Sequence, residues 1–456
     1  MKRTERLIST LAYTLAVLML LFFHLPVTAG AETIQECHRV TSSASETKQE
    51  NGSRVKMWQV ETAHPAVSEE VNGIAAKWAE ELGAGLEQAQ NNGKKNSRLD
   101  AEIRYSRTGL HWMSFLIQAR TTYHQELKAQ RFTTRTYDME TGERILMTDL
   151  FDDDEETWRM LSDRVRQTLS EYWSDEEPDT EKLDKLCERS ALEEAEFTLH
   201  GMSLVLHYPA EALYPGHYTL MEVPFYYPEI RALMTEDAMT ETDNLTYYKT
   251  CALTFDDGPS ASKNTSQVMD ALMETGARAT FFVIGNRVKD YRWFVQREHD
   301  EGHAVASHNW HHGNVNKSTP AALRAMPKKV NAAMIKAIGI PVRYDRVPGG
   351  LYPKMVKSKV GWSYIQWSLD TYDWRGRKPA EVMQTVKKKL HDGDIILCHD
   401  TKDYTPESAR QIIRYLEEQG YMPLTVDELF AKDGVELQPD TVYFRCDQGE
   451  TSIRKD

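Results

Sequence analysis

The sequence has no Cys-x-x-Cys pair, no long run of Lys or Arg, no internal repeat and no low-complexity tract. The missing cysteine pair excludes a zinc ribbon. Five scattered cysteines (Cys37, Cys187, Cys251, Cys398 and Cys446) in 456 residues exclude a disulfide-scaffold mini-protein. An odd count leaves at least one thiol unpaired. Cys37 and Cys446 could bridge in an oxidising compartment, whereas Cys251 and Cys398 lie on apolar, strand-like stretches and are expected to pack as small hydrophobes. With 55 Lys+Arg against 69 Asp+Glu, a net charge of −14, the chain lacks the clustered positive charge that nucleic acid or an anionic lipid surface demands. What remains is an ordinary globular composition, 41% hydrophobic, sufficient for two or three domains.

Lys2, Arg3 and Arg6 precede an apolar run over 7–23, and Ala29-Gly30-Ala31 supplies small residues for cleavage, so 1–31 is expected to be an export signal. If it is not cleaved it becomes an amino-terminal anchor, the one expected contact with a membrane. Cys37 lacks the context of a lipid-attachment site. The expected location is extracellular or at the cell wall.

Residues 32–240 carry a mixed α+β pattern. Val71, Ile74, Trp78 and Leu82 share one helical face, as do Trp158, Leu161, Val165 and Leu169. Strand-like runs fall at 112–122, 132–139, 197–208 and 221–226, with a turn at Glu140-Thr141-Gly142. Acidic stretches at 152–156 and 175–181 lack the Gly-punctuated spacing of a calcium loop and read as solvated loops or helix starts. The polar segment 235–244 is the linker candidate. From 247 to 431 short apolar strands (251–255, 279–284, 303–307, 364–368, 394–398) alternate with amphipathic helices, as in βα units with a mostly parallel sheet. One helix opens with Thr405 as cap and Pro406 in the first turn, and stops at Gly420; another starts near Pro379. Residues 432–456 form a carboxy-terminal extension.

Five polar clusters sit at the carboxyl ends of these strands, where α/β folds place their chemistry. Asp256-Asp257-Gly258-Pro259 joins two carboxylates to a turn; one could bind a metal while the other works as a base. His308-Asn309-Trp310-His311-His312 presents two imidazoles four residues apart, with His311 as a competing ligand. Arg346-Val347-Pro348-Gly349-Gly350 offers a cation to hold a carboxylate and a Gly pair that lets backbone approach a ligand. Asp370-Thr371-Tyr372-Asp373-Trp374 combines acids with aromatics of the kind that line sugar grooves. Leu397-Cys398-His399-Asp400 sends a His out of a buried strand, a candidate general acid. Cys398 and His399 cannot form a thiol-imidazole dyad, because neighbours on a strand face opposite sides.

These five clusters, in this order, resemble the metal-dependent polysaccharide deacetylase family, the chitin-oligosaccharide deacetylase-like domain of carbohydrate esterase family 4. The resemblance covers about 247–431 and includes Ala279-Thr280-Phe281-Phe282-Val283-Ile284-Gly285. It implies an α/β fold, a distorted parallel (β/α) barrel preceded by a smaller α+β domain. It also implies a catalytic divalent metal, usually Zn2+, with Co2+ or another divalent ion as alternatives. Asp257, His308 and His312 match the metal ligands, Asp256 the base, Arg346 its orienting partner, His399 the acid and Asp373 the carboxylate that tunes that acid. Trp374 and Leu397 match the groove and acetyl-pocket walls, and the backbone N–H of Gly349 an oxyanion donor. Two positions depart from the pattern: Asn309 stands where the family usually has Ser or Thr, and Gly349 where relatives often carry an aromatic. The amino-terminal half resembles a module found before deacetylase domains in some Gram-positive bacteria, through Thr141-Gly142-Glu143, Asp149-Leu150-Phe151 and Val223-Pro224-Phe225.

The expected function is therefore de-N-acetylation of a cell-wall polysaccharide, peptidoglycan first, with water as nucleophile. The alternatives are an acetylxylan or chitin-oligomer deacetylase, or a noncatalytic glycan-binding protein, which is disfavoured because ligands, base and acid are all retained.

Overall fold

The computed structural model describes residues 36–48, 53–91, 97–123, 126–260, 262–447 and 450–454; the expected export segment 1–31 lies outside them. Among the described residues, no helix is long and apolar enough to cross a membrane.

The apolar strand Lys249–Asp256 pairs in parallel with Thr280–Val283 on one side and Asp394–His399 on the other. From Thr280–Val283 the parallel ladder continues through Ala304–Ser307, Tyr344–Asp345 and Ser363–Ile365. A further strand, Val442–Asp447, pairs with Ser363–Ile365 and, through Asp394 opposite Arg445, antiparallel with Asp394–His399. That last contact closes a ring of seven strands, a distorted (β/α) barrel. The closing strand comes from the carboxy-terminal extension.

The surrounding helices follow from their punctuation. Lys263–Thr275 opens with the Ser262 hydroxyl accepting from the Asn264 N–H and ends at Gly276, whose φ of +67° admits a left-handed turn. Thr405–Glu418 buries Ala409, Ile412, Ile413 and Leu416 against the strands. Thr405, expected to cap this helix, is its first helical residue, and its hydroxyl donates to Asp373 Oδ2 at 2.9 Å instead. Inward-facing Ala252, Phe282, Ala306, Tyr344, Ile365 and Ile395 fill the barrel, and the short helix Val426–Ala431 contributes Val426, Leu429 and Phe430 to the same core.

The amino-terminal half forms two sheets. A three-stranded antiparallel sheet (Phe197–Leu199, Ser203–Pro209, Leu220–Tyr226) packs with helix Glu155–Glu171, and its Leu204 and Phe225 belong to the core that runs into the barrel. A six-stranded sheet runs from Val40–Lys48 to Arg144–Ile145. One face of its central strands, carrying Leu99, Ala101, Ile103 and Phe115, is apolar and is covered by helix Pro65–Asn91.

The opposite face of the six-stranded sheet is charged, yet equally buried, because it lies against the barrel helix Arg292–Asp300. Arg120 pairs with Glu102 of its own sheet, reaches Glu301 at 3.2 Å and stacks 5.1 Å from the Trp293 ring. Arg297 pairs with Glu301, with Asp270 at 3.0 Å and with Glu102 at 3.6 Å, and Lys56 meets Asp270 at 2.7 Å. Arg104 reaches Glu301 at 3.4 Å and His303 at 3.2 Å.

Two sequence expectations fail here. Segment 235–244 is no loose linker. It contains helix Glu236–Glu241, and the Glu241 carboxylate accepts from the N–H groups of Leu110 and His111 at 3.0 Å each. Buried Asn244 donates to Thr108 Oγ1 and the Gly201 carbonyl, both at 2.8 Å. Nor do Cys37 and Cys446 bridge: none of the five cysteines is in a disulfide, the Cys37 thiol donating to the Leu110 carbonyl and the Cys446 thiol to Asp433.

Candidate metal centre

Strand Lys249–Asp256 ends on Asp256, and Asp257 follows with φ +79°, so the two adjacent carboxylates diverge. The next residue must be glycine: a Cβ on Gly258 would lie 2.5 Å from Asp400 Oδ2.

His308 follows strand Ala304–Ser307. Its Nδ1 lies 2.6 Å from the Arg346 carbonyl, which can only accept, so Nδ1 carries the proton and the Nε2 lone pair faces Asp257 Oδ1 at 3.7 Å. The loop then reverses through Asn309 at φ +63°, a left-handed conformation that Asn adopts more readily than most residues. This reversal brings His312 Nε2 to 3.3 Å from Asp257 Oδ1. One donor atom from each of Asp257, His308 and His312 lies within 4.8 Å of the other two; His311 is not part of this group.

The donor chemistry fits a divalent cation. Asp257 Oδ1 is buried with no hydrogen-bond partner. Burial opposes ionisation of Asp257, but His308, His399, His312 and Lys402 outweigh it and hold the carboxyl below its ordinary value. Burial above all pulls His308 below its ordinary value, which keeps the imidazole neutral. A carboxylate with two imidazoles is a usual ligand set for a catalytic divalent metal that retains an open position.

The loop depends on a residue that the sequence did not single out. Buried Asp345 accepts from the Ser307 hydroxyl at 2.5 Å and from the Asn309 N–H at 3.0 Å, and its Oδ2 lies 3.4 Å from Asn309 Nδ2. Burial pushes its carboxyl up to about 7. Its only signal in the sequence was its place directly before Arg346.

Asp256 turns the other way. Its Oδ1 accepts from Arg346 at 2.8 Å, and its Oδ2 stays 3.8 Å from His308 Nε2. Arg346 is wholly buried and fixed by Thr254 Oγ1 (2.7 Å), the Ile365 carbonyl (3.0 Å) and the Gln366 carbonyl (3.1 Å), with Phe282 stacked 3.9 Å beneath it. A guanidinium held at so many points can only orient Asp256, not wander from it.

His399 ends strand Asp394–His399. Its Nδ1 lies 2.8 Å from Asp373 Oδ1, while Asp373 Oδ2 accepts from the His399 N–H at 2.7 Å and from Thr405. Burial works against a charged ring, but the Asp373 hydrogen bond and charge, with Asp256 and Asp257 behind them, raise His399 above its ordinary value. Trp374 is 46% exposed, with its indole N–H directed to Asp370 at 3.4 Å, and Gly349 is exposed at φ +64°. Leu397 is buried between Thr254 and Asp370 in the strand register. A cleft of 570 Å³ opens at the metal-ligand group, lined by Asp257, Ser260, Arg287, Tyr291, His312 and Lys402 among others; Gly349, Trp374 and Leu397 do not line it.

A β/α barrel with a carboxylate and two imidazoles at its strand ends, a second carboxylate held by Arg and a His held by Asp defines a class of barrel protein with a candidate metal site. Comparison with known proteins narrows the class. The family model for polysaccharide deacetylase matches residues 244–362. The peptidoglycan-N-acetylglucosamine deacetylase PgdA of Listeria monocytogenes is 38% identical over 196 residues, 43% of this chain and 41% of that protein. The peptidoglycan-N-acetylmuramic acid deacetylase PdaC of Bacillus subtilis is 33% identical over 184 residues, 40% and 38% of the two chains. A solved T48 deacetylase with substrate is 32% identical, covers 44% of this chain and 98% of its own, and superposes with a TM-score of 0.41. The peptidoglycan-N-acetylmuramic acid deacetylase PdaA of Bacillus subtilis is 30% identical over 198 residues, 41% of this chain and 74% of that protein, and the chain belongs to the polysaccharide deacetylase family. It spans about two fifths of the length of PgdA and PdaC, 41% and 38%.

Proposed function

We propose that this protein is an exported, metal-dependent deacetylase that removes N-acetyl groups from peptidoglycan at the cell wall. The observation that carries the proposal is the convergence of three separately supported groups: the Asp257, His308 and His312 ligands, the Arg346-held Asp256 and the Asp373-held His399. The peptidoglycan assignment takes its support from the substrates named for PgdA and PdaC.

A divalent ion, zinc in this proposal, bound by Asp257, His308 and His312 would supply Lewis acidity to water and to the acyl oxygen. Asp256, oriented by Arg346, accepts a proton from the attacking water. The water oxygen bonds to the amide carbon, and the Gly349 N–H is the backbone donor assigned to the developing oxyanion. As the C–N bond breaks, His399 delivers its proton to the departing nitrogen, giving the free amine and acetate. Asp373 keeps His399 protonated for that transfer and fixes its ring. Trp374 and Leu397 are assigned to the sugar groove and the acetyl pocket.

The test is acetate release by the full chain from purified peptidoglycan, chitin oligomers and acetylated xylan in parallel, with and without a chelator. Chelator-sensitive release from peptidoglycan is the expected result, with mass spectrometry of the sugars locating the free amine. Release only from xylan would replace the substrate, and no release from any polymer by metal-loaded protein would overturn the hydrolase.

A further inference from the structure

The cleft beside the metal ligands is cationic in a chain whose net charge is −14. Its charged lining consists of Arg287, Lys402 and the single carboxylate of Asp257. Both cations are positioned. Arg287 donates to the Asp257 carbonyl at 2.6 Å, and Lys402 Nζ stands 3.2 Å from Asp257 Oδ2. Lys402 lies on a short turn that leaves the candidate acid: its N–H donates to the His399 carbonyl at 3.3 Å and its carbonyl accepts from the Thr405 N–H at 3.2 Å.

Buried Asn264 clamps that turn on either side of Lys402, donating to the Thr401 carbonyl at 3.2 Å and to Asp403 Oδ1 at 3.1 Å. Asp403 is thereby engaged by Asn264 rather than by Lys402. The lysine side chain is still 37% exposed and lines the cleft, so its remaining N–H donors are open to it.

Holding Asp257 ionised uses one contact of Lys402, and acetamide chemistry gives no further use for its exposed donors or for Arg287. A neutral N-acetyl sugar gains nothing from two fixed cations next to the reacting group, whereas a sugar bearing a carboxylate near its acetamide gains a charge-assisted hydrogen bond. Muramic acid carries such a group, a lactyl ether whose carboxylate is free when no peptide is attached. We propose that Lys402, with Arg287 behind it, selects glycan in which the reacting sugar carries a free carboxylate. This inference rests on the deacetylase reading above, and makes Lys402 a specificity residue.

The experiment compares three strands of alternating N-acetylglucosamine and N-acetylmuramic acid: peptide-free with free lactyl carboxylates, peptide-free with those carboxylates converted to amides, and peptide-bearing. The full chain and Lys402→Gln are assayed for acetate release on each. The expected wild-type result is about tenfold higher kcat/KM on the free-carboxylate strand than on the amidated one, carried by KM and shrinking with added salt. In Lys402→Gln that ratio falls towards one. A comparable preference for the peptide-bearing strand would identify the peptide's carboxylates as the group recognised.

Equal wild-type rates on the free and amidated strands would overturn the inference. So would a Lys402→Gln loss of equal size on both, since that is the mark of a lysine that only neutralises Asp257. Calorimetric binding of the same strands to Asp256→Asn and to Asp256→Asn/Lys402→Gln reads the ratio without turnover. Absence of all acetate release would therefore refute the hydrolase, while the binding ratio would still decide the role of Lys402.

Discussion

Arg120→Met tests how the amino-terminal half is held to the barrel. The guanidinium of Arg120 is fully buried between Glu102 on its own sheet and Asp300 and Glu301 at the end of the barrel helix. Methionine keeps an unbranched apolar stem but removes the guanidinium, and with it the stacking on Trp293, leaving those carboxylates short of one cation. Removing one partner of a buried ion pair costs roughly 3 to 5 kcal/mol. In a guanidinium titration followed by tryptophan fluorescence, that corresponds to a fall of about 1 M in midpoint.

The loss also has a sign in pH. Burial already lifts Glu102 above its ordinary value near 4.5, and Arg120 is the largest charge opposing that lift. Without Arg120 the folded-state value rises further, so the folded protein binds a proton that the unfolded chain has released. The variant is then least stable above the raised value and recovers as pH falls through it; its deficit is larger at pH 8 than at pH 5. Glu102→Gln in the same background restores part of the loss, because it removes the surplus charge. A deficit below about 1 kcal/mol, or one equal at both pH values, would refute this account of the interface.

Three further outcomes concern the site. His312→Ala is expected to purify without a stoichiometric divalent ion, as read by elemental analysis; full retention would remove His312 from the ligand set. Asp256→Asn should keep its metal while kcat falls by about 10²- to 10⁴-fold, the usual contribution of a general base, and near-normal turnover would refute that role. Asp373→Asn removes the interaction that raises His399. Since the protonated ring is the proposed proton donor, activity is lost as pH rises through its titration. The basic limb of the kcat/KM profile should therefore move towards acid, and an unmoved limb would detach Asp373 from the acid.

The barrel was legible where the physics is local. Apolar stretches such as 251–255 and 394–398, bounded by Gly, Pro and charged residues, form strands, and the polar clusters at their carboxyl ends meet in one place. Tyr344–Asp345 was not legible, because a two-residue strand has no periodicity to detect, and with it went Asp345. The charged strand Ser97–Thr108 misleads in a more instructive way. Arg98, Asp100, Glu102 and Arg104 alternate with apolar residues, which on its own reads as a sheet with one wet face. Here that face meets complementary charges on Arg297, Asp300 and Glu301, and only the tertiary partner reveals that it is dry. Segment 235–244 deceived for the same reason: its Glu241 and Asn244 are polar because they satisfy backbone groups of the turn at Thr108 to His111.

Barrel closure by Val442–Asp447 has a temporal consequence. The outer edge of Ser363–Ile365, and the Asp394 end of the strand that leads to His399, are covered by a segment that leaves the ribosome after every proposed ligand, base and acid. Until then the nascent sheet presents an unpaired edge, the form most prone to pairing with another chain. Closure joins elements far apart in sequence, which makes it a late and slow event. The open edge therefore exists only in the interval between synthesis of Ser363–Ile365 and of Val442–Asp447, and shortening the chain by even this one strand would reopen the ring at Asp394 and Ser363–Ile365.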